Sequence, residues 1–123
     1  MKRLLVILAV LVGLTLVGGC GPTTTTEPTP SVYRVAYRIT GQGSKRGSIT
    51  YNNEGGNTEQ QPVSIPWFSE VYTVNPDYLA YISVQNAGKA GNVTCEILVN
   101  GEVAESATSR GAYAVATCSG KVE

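Results

Sequence analysis

The feature that most constrains the fold is a short hairpin signal, Asn100-Gly101, placed between two apolar runs. Residues 93–99 and 103–105 alternate apolar with other side chains on either side of it, which is typical of half-buried β-strands. Asn-Gly tolerates the positive φ angles of a type I′ turn, so this stretch predicts a β-hairpin. One face of its first strand would be apolar and is formed by Val93, Cys95, Ile97 and Val99.

A third apolar run, residues 112–118, follows the hairpin and ends in a second cysteine. If Cys95 and Cys118 pair, the disulfide closes this part of the chain on itself. For a loop of this length, chain-entropy arithmetic gives a stabilisation of roughly 3.5 kcal/mol. The bond would also imply an oxidising compartment. We therefore expect the two cysteines to be buried partners in an exported domain.

The start of the chain predicts export and membrane anchoring. Residues 1–19 combine a basic start, an apolar run and small residues, which is the pattern of a secretory signal peptide. VGGC at positions 17–20 resembles the bacterial lipobox, whose cysteine is lipidated and becomes the new N-terminus. Cys20 is the odd cysteine of three, which agrees with that role. The alternative is an uncleaved membrane anchor in which Cys20 is an ordinary interfacial thiol.

A tether separates this anchor from the folded domain. Residues 20–31 comprise the lipidated Cys20 and the Pro/Thr-rich stretch GPTTTTEPTPS, which offers no apolar side chain for packing. Such a composition favours an extended, solvated segment. The folded domain is then expected to span residues 32–123.

The composition excludes several classes of function. The chain has no histidine and a single aspartate, Asp77, so the usual general bases and metal ligands are scarce. Basic and acidic residues number 9 each, which gives no footprint for nucleic-acid binding. We find no nucleophile with a base, no paired carboxylates, no CxxC and no phosphate-binding loop. We expect no enzymatic activity, no metal and no cofactor.

Short alternating runs with turn signals about every ten residues predict an all-β fold, an Ig-like antiparallel β-sandwich of about seven strands. The strand at 78–85 carries apolar groups on both faces, so we expect it to be central in its sheet. Trp67 is interpreted as a plug between the sheets, with a ligand platform as the alternative. Arg34 and Arg38 share the wet face of the first strand, as a solvated surface or alternatively an anion site.

Seven short motifs in order resemble the MmpS family, the small accessory proteins of MmpL transporters in mycobacteria and related actinobacteria. They are YRITG at 37–41, ITY at 49–51, IPW at 65–67, SVQN at 83–86, VTCEI at 93–97, VNGEV at 99–103 and AVATC at 114–118. The resemblance implies a periplasmic β-sandwich that assists RND-type exporters of lipids, glycopeptidolipids or siderophores. This chain departs from the family at its start, where a lipobox and tether replace a longer transmembrane helix.

Two non-enzymatic functions are compatible with these features. The first is a lipid-anchored accessory protein for an MmpL/RND-type exporter, facing the extracytoplasmic side of the cell membrane. Its partner face is expected to include Arg34 and Arg38, which can offer forked hydrogen bonds to carboxylates of the transporter. The second is a stand-alone surface lipoprotein that binds a small amphiphile or a cell-wall polymer through its aromatic residues.

Overall fold

A computed structural model describes residues 32–122, and this part of the chain consists of nine β-strands without a helix. The strands are β1 (Tyr33–Gln42), β2 (Arg46–Asn52), β3 (Thr58–Ser64), β4 (Trp67–Phe68), β5 (Tyr72–Val74), β6 (Leu79–Asn86), β7 (Asn92–Val99), β8 (Glu102–Arg110) and β9 (Val115–Lys121). The expected signal peptide, Cys20 and the tether lie outside the described residues. Across residues 32–122 there is no helix that could span a membrane.

Antiparallel pairing arranges the strands in two sheets. The first sheet has the order β4–β1–β7–β8, with β5 also paired to β1, and the second has the order β3–β2–β6–β9. The inward side chains of both sheets form one apolar core. The predicted all-β sandwich is therefore confirmed. β6 lies between β2 and β9, which confirms the central position predicted for that strand.

The described chain has nine strands rather than about seven, partly because the stretch from Trp67 to Val74 is divided. The backbone N–H of Tyr37 on β1 donates to Oγ of Ser69 at 2.8 Å. The backbone N–H of Ser69 donates in turn to the carbonyl of Tyr37 at 3.0 Å. In a regular strand pair the N–H of Tyr37 would donate to a backbone carbonyl. Because it donates to the Ser69 side chain, the strand pairing is interrupted, and β4 and β5 are separate strands.

The predicted hairpin is confirmed as β7 and β8. Asn100 and Gly101 have φ angles of 53° and 87°, as a type I′ turn requires. β8 is longer than the apolar run 103–105 suggested and pairs with β7 as far as Arg110. β8 is an edge strand, and its later residues are polar except for Ala107, so they gave no apolar pattern.

The last strand departs from the prediction for residues 112–118. Residues 111–114 form a turn and its exit, and β9 begins only at Val115. β9 does not extend the hairpin but crosses to the second sheet, where it pairs with β6. The predicted disulfide between Cys95 and Cys118 is present, with Cα atoms 6.1 Å apart. It links the two sheets through β7 and β9 and does not close the hairpin on itself.

The core is built from the inward faces of both sheets, and β1, β2, β6 and β7 supply its largest fully buried apolar side chains. Its largest fully buried apolar side chains are Tyr37, Ile39, Ile49, Ile82, Ile97, Val35, Val84 and Val93. Trp67 of the first sheet packs against Tyr51 of the second with ring centroids 5.6 Å apart, which agrees with its interpretation as a plug between sheets. These contacts hold the first sheet as a rigid support for its outer surface.

One buried polar side chain joins three loops at one end of the sandwich. Asn86 is fully buried, and its Nδ2 donates to the carbonyls of Ala90 and Gly111, both at 2.9 Å. Its Oδ1 accepts from the hydroxyl of Ser44 at 2.6 Å and from the N–H of Gly88 at 2.8 Å. The amide therefore has its hydrogen-bonding capacity filled, which makes its burial tolerable.

Candidate partner-binding face

The outer face of the first sheet carries both arginines that the sequence singled out. Side chains of β1 alternate, so Arg34, Ala36 and Arg38 lie on the side away from the core. On β7, Leu98 pairs with Ala36 and Glu96 pairs with Arg38. Because residues that pair across strands share a face, these five side chains form one surface. We call this surface the outer face.

The two arginines differ in their electrostatic surroundings. Arg38 donates through Nε to Oε1 of Glu96, its neighbour across the strand pair. Arg34 is exposed and has no ion-pair partner among residues 32–122. Its guanidinium therefore keeps its forked donors available, whereas the charge of Arg38 is offset by Glu96.

Exposed apolar side chains accompany the arginines on the outer face. Phe68 is 62% exposed, Val71 is 57% exposed and Val103 is 48% exposed. Phe68 pairs with Arg38, and Val103 pairs with Leu98. The apolar surface therefore continues from the β4–β5 side across β1 and β7 to the edge strand β8. Contiguous exposed apolar surface of this kind is characteristic of interaction sites.

A groove of about 400 Å³ opens at one end of this surface. Ala36, Val71 and Leu98 form its apolar lining, and it is completed by Arg34, Asn100 and Gly101. Ala36 lies between Arg34 and Arg38 on the outer face, and its side chain is much shorter than theirs. The surface therefore has a depression at this position. The backbone N–H of Arg34 donates to Oδ1 of Asn100 at 3.0 Å, and the N–H of Asn100 donates to the Arg34 carbonyl at 2.7 Å. These bonds hold the hairpin turn against β1 and fix the end of the groove.

The sequence interpretation found Arg34 and Arg38 but missed the apolar part of this face. A signal was present in Leu98, which follows Thr94 and Glu96 in the outward phase of β7, where a polar residue is expected. Val71 and Phe68 could not be assigned, because the division of β4 from β5 determines which way they point. Their positions depend on the Ser69 contact with β1.

The outward surface of the second sheet is different. Its side chains from β2, β6 and β9 are mainly small, neutral and polar, and they include Ser48, Thr50, Ser83, Gln85, Thr117 and Ser119. Exposed Leu79 and Val115 lie near opposite ends of that sheet and are not joined by apolar neighbours. This surface therefore provides the matched control for tests of the outer face.

A second cleft, of about 480 Å³, lies beside the β2–β3 loop and is lined by tyrosines, asparagines and glutamates. Glu59 accepts from Nδ2 of Asn53 at 2.7 Å and from the hydroxyl of Tyr51 at 3.0 Å. These two bonds, with that of Asn53 the stronger influence, lower the pKa of Glu59. Burial, reinforced by the bond to Glu59, raises the pKa of Tyr51 above its usual range. The groups bond one another, so we interpret the cluster as support for the β2–β3 loop.

No group of three or more potential metal ligands occurs within residues 32–122. Cys95 and Cys118 are both consumed by the disulfide, and Cys20 lies outside the described part of the chain. The side chains of the outer face can provide apolar contact and guanidinium hydrogen bonds.

Comparison with known proteins identifies a family. The sequence profile of a family described as Mycobacterium membrane protein, of the MmpS type, matches residues 22–122. The match covers most of the chain, including every described strand. Among curated proteins, the comparison finds no match.

Proposed function

Because the chain belongs to the Mycobacterium membrane protein family, we propose that it is a membrane-anchored, non-catalytic accessory protein of an MmpL/RND-type exporter of lipids or siderophores. The family supports a membrane-associated role. The accessory role and the identity of the exporter come from the resemblance of the sequence motifs to MmpS proteins. The anchor is the acyl group expected on Cys20, on the extracytoplasmic side of the membrane.

The observation that carries this proposal is the outer face. It combines exposed apolar side chains with a guanidinium that lacks an ion-pair partner among the described residues. Protein interfaces are built in this way, with an apolar centre and a few directed polar groups, and arginine is enriched in them. The second sheet offers no comparable surface, so docking through the outer face is the arrangement that the fold favours.

A tether makes a weak interaction sufficient. If Cys20 is lipidated, the roughly ten residues that follow it confine the domain near the membrane. The effective concentration at a membrane partner then approaches the millimolar range. A docking surface of modest area can be largely occupied at that concentration, although the same surface would bind poorly in solution.

Co-purification from native membranes tests the role. Wild-type protein should recover an MmpL-type transporter, and Arg34→Glu/Arg38→Glu should lose it because both guanidinium groups become carboxylates. Ser48→Glu/Thr117→Glu on the second sheet adds negative charge elsewhere and should still recover the transporter. Near-ultraviolet circular dichroism of each variant establishes that the sandwich is intact.

If the wild-type protein recovers no transporter and deletion of the gene leaves export unchanged, the accessory role is wrong. The stand-alone surface lipoprotein that binds an amphiphile or a cell-wall polymer then becomes the better function.

A further inference from the structure

The groove at Ala36 has a shape that suits a single protruding side chain. Ala36 and Leu98 form a low apolar floor, and Val71 forms a wall on one side. The Asn100-Gly101 turn closes one end and is tied to β1 by two hydrogen bonds. Its volume of about 400 Å³ is at the small end of ligand sites, which span roughly 300–1,000 Å³.

Arg34 gives this groove a chemical preference. Its side chain lines the groove and is exposed, and no carboxylate of residues 32–122 pairs with it. Glu96, the acidic residue on the same face, is occupied by Arg38. A guanidinium beside an apolar floor is complementary to a carboxylate that lies next to an apolar side chain, because the planar fork of arginine matches the two carboxylate oxygens.

We propose that this groove is a socket for a protein segment in which a large apolar side chain is followed or preceded closely by Asp or Glu. The apolar side chain fills the space above Ala36, and the carboxylate bonds Arg34. The inference rests on the proposed function, since it names the partner chemistry of the same face. It also assigns the central contact to Arg34 and Ala36, with Arg38 in a peripheral position.

The occupant is a protein segment and not a lipid because the apolar floor is short. It is formed by Ala36 and Leu98, with Val71 beside it, and is bounded by the turn and by Arg34. A long acyl chain would leave most of its length outside this floor. A single leucine or phenylalanine side chain, in contrast, would be covered on several sides, which is the arrangement of an interface hot spot.

Paired substitutions in the full-length protein test the socket. Ala36→Trp fills the groove, whereas Thr40→Trp places the same side chain on the same strand and face beyond the groove. Arg34→Gln removes the charge of the socket, and Arg46→Gln removes an exposed charge from β2 on the second sheet. We expect Ala36→Trp and Arg34→Gln each to lower recovery of the MmpL-type transporter from native membranes at least about tenfold. Thr40→Trp and Arg46→Gln should stay within about twofold of the wild type.

Photo-crosslinking identifies what enters the groove. Benzoylphenylalanine introduced at Val71, on the groove wall, should capture the transporter in whole cells. The same group introduced at Ser48, on the second sheet, should not. Capture of lipid alone at Val71 would overturn the inference in favour of an amphiphile. Thermal unfolding of each variant excludes loss of fold as the cause.

The outcomes separate this inference from the accessory role. If wild-type protein recovers the transporter and Ala36→Trp and Arg34→Gln do so equally well, the socket is wrong and the accessory role stands. If wild-type protein recovers no transporter and deletion of the gene leaves export unchanged, the accessory role itself fails and the socket fails with it. Loss with Thr40→Trp as great as with Ala36→Trp would also overturn the socket, because the whole face and not the groove would then carry the contact.

Discussion

At the scale of single residues, Cys20 is the position at which we expect the protein to be held at the membrane. Its position after the small residues of a lipobox predicts processing and lipidation, although it lies outside the described part of the chain. Stable anchoring requires two or three acyl chains, because a single chain binds membranes only marginally. If Cys20 is lipidated, the number of acyl chains it carries therefore determines whether the tether can concentrate the domain beside a partner.

We predict that Cys20→Ala leaves an unprocessed precursor and abolishes acyl labelling, since alanine offers no thiol for thioether formation. Metabolic labelling with a fatty-acid analogue and the apparent mass on a gel measure both effects. Cys95→Ala/Cys118→Ala is the control and should remain labelled. Acyl label retained on the Cys20→Ala protein would exclude lipidation at this position.

Asn86 is the residue whose replacement should be most costly among the buried polar groups. Asn86→Ala leaves the carbonyls of Ala90 and Gly111 and the donors of Ser44 and Gly88 without their partner. We expect the free energy of unfolding to fall by about 2–4 kcal/mol, because each buried group left unsatisfied costs roughly 1–3 kcal/mol and water relieves part of the loss. Urea unfolding measures this change.

The matched control for Asn86 is Ser44→Ala, which removes one bond of the same network. It should cost about 1 kcal/mol. Equal losses from the two substitutions would mean that the amide does not join the three loops as described.

At the scale of elements, the disulfide connects two strands that are not paired with each other in either sheet. β7 belongs to the first sheet and β9 to the second, and each contributes a buried cysteine from its inward face. The bond therefore acts across the core and restrains the packing of one sheet on the other. It also positions β7, which supplies Leu98 and Glu96 to the outer face.

We predict that Cys95→Ala/Cys118→Ala lowers the free energy of unfolding by about 2–5 kcal/mol. The loss reflects greater freedom of the unfolded chain, together with the space left by two buried sulfur atoms. Chemical denaturation under oxidising conditions measures it. Two alkylatable thiols in secreted wild-type protein would contradict the presence of the bond.

At the scale of the whole molecule, the two sheets enclose a group of tyrosines whose hydroxyls are bonded inside the structure. The hydroxyl of Tyr37 donates to the Asn52 carbonyl at 2.9 Å and accepts from the N–H of Tyr81 at 3.2 Å. Burial is the main reason that the pKa of Tyr37 is raised above its usual range, and burial also raises the pKa of Tyr72 and Tyr78. The folded protein therefore favours the neutral phenols.

The raised pKa values of these tyrosines predict that the folded protein loses stability at alkaline pH. A raised pKa in the folded state means that stability is fully present below the unfolded value, about 10 for tyrosine, and is lost as pH rises above it. We expect the free energy of unfolding to decline from about pH 10 upward while phenolate absorbance of the folded protein lags behind that of denatured protein. Urea unfolding at a series of pH values measures the decline.

Tyr37→Phe provides the comparison for that profile, because it removes the most strongly shifted hydroxyl. Its stability should be lower than that of the wild type at neutral pH and should fall less steeply at alkaline pH. A wild-type profile that stays flat above pH 10 would contradict the prediction.

The sequence by itself determined the elements that depend on local chemistry. Alternation of apolar side chains identified β1, β6 and β7, and the backbone preference of Asn100-Gly101 identified the hairpin turn. The two cysteines were correctly paired, since both lie in apolar runs. Arg34 and Arg38 were correctly placed on one face because side chains alternate strictly along a strand.

Only the tertiary structure decided how these elements combine. β9 crosses to the second sheet because its apolar face completes the core beside β6, a partnership that no local pattern specifies. The outer face acquires Val71 and Phe68 only because Ser69 bonds β1 and divides β4 from β5. The charge of Arg38 is offset by Glu96, because strand register places these two residues opposite each other. Arg34 has no acidic residue in that position. Register and sheet order are long-range properties, and they gave two arginines that are equivalent in sequence different surroundings: Arg38 forms an ion pair, and Arg34 has no ion-pair partner among residues 32–122.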